Sequence, residues 1–271
     1  MLLFFGMEAT MRVLFVGDVV GKAGRRVLRS TLKSVQNQVA ADFTVVNVEN
    51  AAGGFGLTGS VWSELQALPV DVFTSGNHIW DKKDTLPLLD SEPRLLRPAN
   101  YPAGNPGRGH CVVPARSGIR VAVLNLQGRT FMTPIESPFV IADRILEEIH
   151  GQAVVTVVDF HAEATSEKQA LAWYLDGRVS VVAGTHTHVP TADERILPRG
   201  TAAVTDVGMT GPYEGVIGFK PEAVLERFLY ATPRALEPAN RGATLSALVV
   251  EVDESSGLAL SVQRVFRGEA L

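Results

Sequence analysis

The sequence predicts an α/β protein with two packed β-sheets and helices on the outside. Three observations carry this. Short Val-rich apolar runs alternate with segments of helical period, as buried strands and covering helices do. Residues 243–252 and 257–266 instead alternate in polarity around the turn-forming Asp253-Glu-Ser-Ser-Gly257, which marks an antiparallel hairpin. No linker-like shift, repeat or low-complexity stretch divides the chain, so one domain is expected over residues 11–271.

The buried strands are expected at 12–17, 43–48, 70–75, 119–126, 153–159 and 179–184, with shorter runs at 110–114 and 201–206. Leu28, Leu32, Val35 and Val39 form the apolar stripe of a first helix. Ile141, Ile145 and Ile149 form another, stopped by Gly151. A third helix near 165–176 carries Leu171, Tyr174 and Leu175 and ends at Gly177. A last one starts at Pro221 and carries Val224, Leu225 and Phe228. Residues 98–109 and 127–138 are the longest irregular stretches, and loops of that length are often functional.

Of 271 residues, 46% are hydrophobic and 20% charged, which excludes compositional disorder. The net charge of −4 excludes extensive nucleic-acid binding through a basic surplus. The single cysteine, Cys111, cannot form an internal disulfide, which suits a cytoplasmic protein. The apolar stretch Met1–Phe5 is too short to span a membrane, and residues 1–10 read as an N-terminal extension.

The chemistry gathers at strand ends. Gly17-Asp18, Glu49-Asn50, Gly76-Asn77-His78, His161 and His186-Thr187-His188 each follow an expected strand. In parallel sheets these ends share one edge, where ligands bind. Oxygen and imidazole donors without a thiolate suit divalent cations such as Fe, Mn, Zn or Co. His186 and His188, if extended, point to the same side and serve one ion or two. Asp18, Glu49, Asn77, His161, His186 and His188 are more ligands than one open catalytic ion uses, so a two-metal centre with a bridging carboxylate is expected, of the kind that activates water and clamps phosphate oxygens. Each residue alone has a structural reading: Asp18 as a helix N-cap, Asn77 as a turn former, His78 as a core imidazole. Their coincidence at successive strand ends favours a site. The phosphate-loop and dinucleotide glycine patterns both fail in Gly17-Asp-Val-Val-Gly21-Lys22-Ala23-Gly24.

With these residues in view, the chain resembles the calcineurin-like metallophosphoesterases through Gly17-Asp18, Gly76-Asn77-His78 and Gly184-Thr-His186-Thr-His188. Val20 stands where that superfamily usually has a histidine, and Glu49-Asn50 where it has Gly-Asp. Longer strings, Asn47-Val-Glu49-Asn50-Ala, Ser75-Gly-Asn77-His78-Ile-Trp, Asp159-Phe-His161-Ala-Glu-Ala-Thr-Ser-Glu-Lys168 and Thr205-Asp-Val-Gly-Met-Thr-Gly-Pro212, resemble the bacterial YmdB-like phosphodiesterases. The resemblance implies a four-layer α-β-β-α sandwich of two mixed β-sheets. It also implies hydrolysis of small phosphodiesters, 2′,3′-cyclic nucleotides included, at two divalent metal ions, Fe or Mn first and Zn or Co next. Asp18 and His188, with Asn50 near, would hold one ion. Asn77, His161 and His186 would hold the other, Glu49 would bridge, and His78 would donate a proton. Asp159 and Glu163 are expected to orient His161, and Arg129 and Tyr213 are candidate substrate contacts. The leaving group would be selected by loops 98–109 and 127–138. A phosphomonoesterase on the same site and a non-catalytic nucleotide-binding regulator are the alternatives, and self-association is left open.

Overall fold

The computed structural model describes residues 9–269. Thr10–Val16 (β1), Gly21–Val39 (α1), Phe43–Asn47 (β2), Gly59–Leu65 (α2) and Val72–Thr74 (β3) come first. A 3-10 turn at Asn77–Trp80 and Thr85–Ser91 (α3) lead to His110–Pro114 (β4). Arg120–Gln127 (β5), Pro138–Glu148 (α4), Val155–His161 (β6), Thr165–Tyr174 (α5) and Val181–Thr185 (β7) then repeat the alternation. The remainder is Arg195–Ile196 (β8), Ala202–Val204 (β9), Gly211–Pro212 (β10), Pro221–Tyr230 (α6), Ala243–Asp253 (β11) and Ala259–Gly268 (β12).

These strands form two mixed sheets. The first has the order β10-β11-β1-β2-β3, with β12 also on β11. Its β1, β2 and β3 are parallel, while β11 lies antiparallel to β1 with Leu14 opposite Val249. The second has the order β4-β5-β6-β7-β9-β8, parallel from β5 to β9 and antiparallel at both edges.

Side-chain alternation assigns the layers. In β1, Val13 and Phe15 join Val45, Val123, Val157, Val181 and Val250 in a core between the sheets. Leu14 and Val16 face the other way, with Leu28, Leu32 and Val35 of α1 and Trp62 of α2. On the outer face of the second sheet, Leu124, Val158 and Phe160 meet Ile141 and Ile145 of α4 and Leu171 of α5. Three apolar seams therefore separate four layers, α-β-β-α. Central strands covered on both faces need apolar residues at every position, which is why they read as continuous runs.

Some expectations are corrected. Tyr174 is exposed, its hydroxyl donating to Asp143 at 2.6 Å. On α6 only Val224 is buried, whereas Leu225 and Phe228 face solvent. That helix lies on the excursion between β10 and β11 and does not cross a sheet. The short helices α2 and α3 were not expected. The N-terminal extension falls outside the described residues as far as residue 8. Thr10, however, belongs to β1 opposite Asp253, and the carbonyl of Ala9 accepts from Glu254 N–H. No helix among the described residues is long and apolar enough to cross a membrane.

Candidate metal centre

The carboxyl ends of β1, β2 and β3 meet those of β6 and β7 along one rim. Beneath it, a polar layer joins the sheets. Asn47 Nδ2 donates to Asp159 Oδ2 at 2.9 Å, while Ser75 N–H donates to Asn125 Oδ1 and Asn125 Nδ2 to Ser75 O, both at 2.9 Å.

Above that layer, all seven expected ligands converge. Asp18 is fully buried and caps no helix, since α1 begins after Val20 without a side-chain cap. Its Oδ2 accepts from His186 N–H at 3.1 Å, and its Oδ1 has no hydrogen-bond partner. Glu49 accepts through Oε1 from Asn50 Nδ2 at 2.8 Å and through Oε2 from His78 N–H at 3.1 Å. Asn50 Oδ1 is a second buried atom without a partner. One donor group comprises Glu49, His161 and His186, the other Asp18, Glu49 and His188. Within each group the donor atoms lie within 4.8 Å of one another, and Glu49 is common to both.

Neighbours decide which imidazole nitrogen each histidine presents. Thr185 Oγ1 donates to Asp159 Oδ1 at 2.7 Å, so it accepts from His161 Nδ1 at 2.9 Å and leaves Nε2 turned inward. His188 donates through Nδ1 to the carbonyl of Ile217 at 2.9 Å, so its Nε2 is an acceptor, 3.0 Å from Asn50 Nδ2. His186 places Nε2 3.1 Å from Glu163 Oε2, leaving Nδ1 inward, 3.0 Å from His161 Nε2. Asp159 thus acts on His161 through Thr185, and Glu163 serves His186, not His161 as expected.

His161 Nε2 also lies 3.2 Å from Glu49 Oε1 and 3.1 Å from Asn77 Oδ1. Four donor atoms, those of Glu49 and His161 fully buried and those of Asn77 and His186 partly so, therefore turn to one point, an arrangement that fits a cation. Without an ion, a proton on His161 Nε2 takes the place a cation would fill, shared with Glu49 and Asn77. Burial opposes the charged imidazole of His161, but Glu49 and Asp18 outweigh it and raise the group to about 9. Burial, reinforced by the charge on His161, lowers His186 to about 3. Burial raises Asp18 against the pull of His161 and His188. Burial would raise Glu49 too, yet His161 overrides it and holds that carboxylate well below its usual range. Gly76 leaves the room required, since a Cβ there would lie 2.2 Å from His161 Nε2 and 2.3 Å from Glu49 Oε2.

The His-Thr-His segment is not extended. β7 ends at Thr185, and His186 and His188 adopt positive φ of 100° and 67°. The two imidazoles therefore enter different donor groups, contrary to the same-side expectation. Buried Asp206 holds this strained loop. Its Oδ2 accepts from Thr187 N–H at 3.1 Å, from Thr187 Oγ1 at 2.8 Å and from buried Lys168 Nζ at 2.7 Å.

A cleft of about 380 Å³ opens onto the cluster. His78 lines it, with Nδ1 2.8 Å from Asp81 Oδ2. Phe55, Ile217, Phe219 and Leu236 line it as well, and none was singled out from the sequence. Phe55 did carry a signal, as an aromatic set among Gly53, Gly54 and Gly56. Loops 98–109 and 127–138 supply none of the described lining residues. Tyr213 turns its hydroxyl to the carbonyl of Met209, and Arg129 is exposed away from this lining.

Comparison with known proteins agrees with this geometry. The family model described as "YmdB-like protein" matches residues 14–265. A Bacillus subtilis (strain 168) protein named 2′,3′-cyclic-nucleotide 2′-phosphodiesterase is 47% identical over 255 residues, covering 94% of this chain and 96% of its own. A crystal structure of a hypothetical protein from Thermus thermophilus superposes with a TM-score of 0.90 at 42% identity, over 96% of this chain and 100% of that one. A structure described as a novel phosphatase from Mycoplasma pneumoniae gives 0.91 at 34% identity, over 97% and 95%. The converging strand ends, the long shared strings and these full-length matches have one reading: the chain belongs to the YmdB-like protein family.

Proposed function

We propose that residues 11–271 act as one domain, a dinuclear-metal phosphodiesterase for small phosphodiesters, 2′,3′-cyclic nucleotides foremost. The carrying observation is the inward-facing set of His161 Nε2, His186 Nδ1, Glu49 Oε1 and Asn77 Oδ1, adjoined by Asp18, Asn50 and His188. Asp18, Asn50 and His188 would hold one ion and Asn77, His161 and His186 the other, with Glu49 shared. The mixed oxygen and nitrogen donors suit Fe or Mn, with Zn or Co next. Two divalent ions there would supply Lewis acidity towards phosphoryl oxygens and lower the pKa of water.

The protein's own residues supply the remainder. With Nδ1 engaged by Asp81, His78 is left with Nε2 to carry a proton to the departing ribose oxygen. Its backbone N–H meanwhile keeps Glu49 in place. The Bacillus subtilis relative's name supports the diester reading. A small nucleotide in the cytoplasm is the proposed substrate.

Elemental analysis of the purified chain should find two transition-metal ions per molecule. Bis-p-nitrophenyl phosphate should be cleaved faster than p-nitrophenyl phosphate, and the reverse order would establish a phosphomonoesterase. Nucleotide binding without turnover by metal-loaded protein would instead establish a regulator. His78→Ala at unchanged metal content should lower kcat by roughly a hundredfold or more, and a loss of only a few-fold would remove the proton-donor role.

A further inference from the structure

Facing the charged cluster, the cleft has a second wall that the chemistry above does not use. It consists of Phe55, Ile217, Phe219 and Leu236. Phe219 is almost wholly buried and stacks behind the half-buried Phe55, with centroids 5.1 Å apart and planes inclined by 22°. Gly54 permits this approach, since a Cβ there would stand 2.9 Å from the Phe219 ring. The Phe55 ring also meets His78 edge-on, at 4.9 Å and 69°, so the wall begins beside the proposed proton donor.

Ile217 continues the wall. It is 47% exposed, and its φ of 46° is an outlier for a β-branched residue. That conformation turns its carbonyl to His188 Nδ1, while its side chain lines the cleft. Such strain persists where the surroundings over-determine it, commonly at binding sites. The polar side chains along this cleft that lie outside the cluster and His78 are already engaged, Glu163 with His186 and Thr187 with Asp206.

A ligand matching both walls carries an anionic phosphodiester at one end and a flat, apolar-faced ring at the other. We propose that the Phe55–Ile217–Leu236 wall, backed by Phe219, is a nucleobase subsite that accepts the base by its face and does not read its edge. The inference rests on the phosphodiesterase reading and extends it. Base–aromatic stacking tolerates every base, because each has a π-face. Adenine, guanine, cytosine and uracil substrates should therefore differ by no more than about fivefold in kcat/KM.

The test compares adenosine 2′,3′-cyclic monophosphate with the 2,3-cyclic phosphate of 1-O-methylribose, which has no base, in metal-loaded wild type, Phe55→Leu and Phe219→Leu. The nucleotide-to-baseless ratio of kcat/KM should fall about tenfold in Phe55→Leu, chiefly through KM. A ratio within about twofold of wild type, or strong discrimination among the four bases, overturns the subsite while leaving the hydrolase intact. Failure of wild type to cleave either compound overturns the phosphodiesterase reading and the subsite with it. A reading independent of turnover is saturation-transfer NMR of the same nucleotide on metal-stripped protein. The largest transfer should fall on the adenine protons and decline in Phe55→Leu, and transfer centred on the ribose in wild type overturns the proposal.

Discussion

Thr185 shows how much a single hydroxyl can decide. It stands between Asp159 and His161 and determines which imidazole nitrogen faces the proposed ions. Thr185→Val keeps the shape and removes the relay. Metal affinity should fall roughly 10–100-fold with secondary structure unchanged, as when other outer partners of ligating histidines are lost. Isothermal titration with Mn²⁺ beside circular dichroism would measure this, and undiminished affinity would remove Thr185 from the site. The donors themselves were legible in the sequence because Asp18, Glu49, Asn77 and His188 break apolar runs at strand ends. Thr185 and Asp206 were not, because a threonine or aspartate in a loop gains its role only from the residue brought opposite it by the fold. The orientation of the two histidines was misjudged for a related reason. Positive φ at His186 and His188 is imposed by Asp206 gripping Thr187, and nothing local in His-Thr-His announces it.

Among the elements, α1 sits unusually close to its neighbour. A Cβ on Gly24 would come 2.3 Å from the carbonyl oxygen of Thr210. Helix propensity alone would make Gly24→Ala stabilising by about 1 kcal/mol. The clash with backbone should reverse the sign and destabilise by about 1–3 kcal/mol, read as a lower denaturation midpoint in urea. The terminal hairpin gives a pH signature. Asp253 accepts from the backbone N–H and hydroxyl groups of Ser255 and Ser256, which hold its carboxyl at about 2. Because the folded value is depressed, its stabilisation is complete above the ordinary 3.8 and is lost as pH falls towards about 2. Asp253→Asn should flatten the melting temperature across that window, and an unchanged slope would mean the turn contributes nothing. Long buried strands and the helices over them were readable from their periods. Helices α2 and α3 are only seven residues each and give too few turns for a stripe. The apolar row of α6 was read as core because periodicity reports amphipathicity and not what the apolar face meets. Phe228 is 84% exposed.

At the scale of the whole molecule, the proposed ligands come from both sheets, so ions held there would tie the layers together. Anything that binds only the folded state stabilises it. Mn²⁺ at a hundred times its dissociation constant adds about 2.7 kcal/mol, roughly 5–10 °C of melting temperature for a chain of this size. EDTA should remove the increment and Asp18→Asn most of it. A melting temperature indifferent to metal would mean that no ion is held between the layers. The layered architecture was legible from the alternation of strands and helices. The cleft was not, because its apolar wall joins residues 55, 217, 219 and 236, which no spacing rule relates.

The polar layer under the rim governs how the sandwich can move. Smooth aliphatic faces can glide over one another by an ångström at little cost. The bonds from Asn47 to Asp159 and between Ser75 and Asn125 cannot, since such a slip would strand buried amides without partners. Near the opposite margin Ala259 N–H donates to the carbonyl of Gly200 at 2.8 Å, and Arg264 meets Glu194 at 2.9 Å, so the two sheets are fastened at both ends. Sliding of one layer over the other is therefore opposed from the rim to the far edge, and the donors that the two sheets contribute keep their spacing.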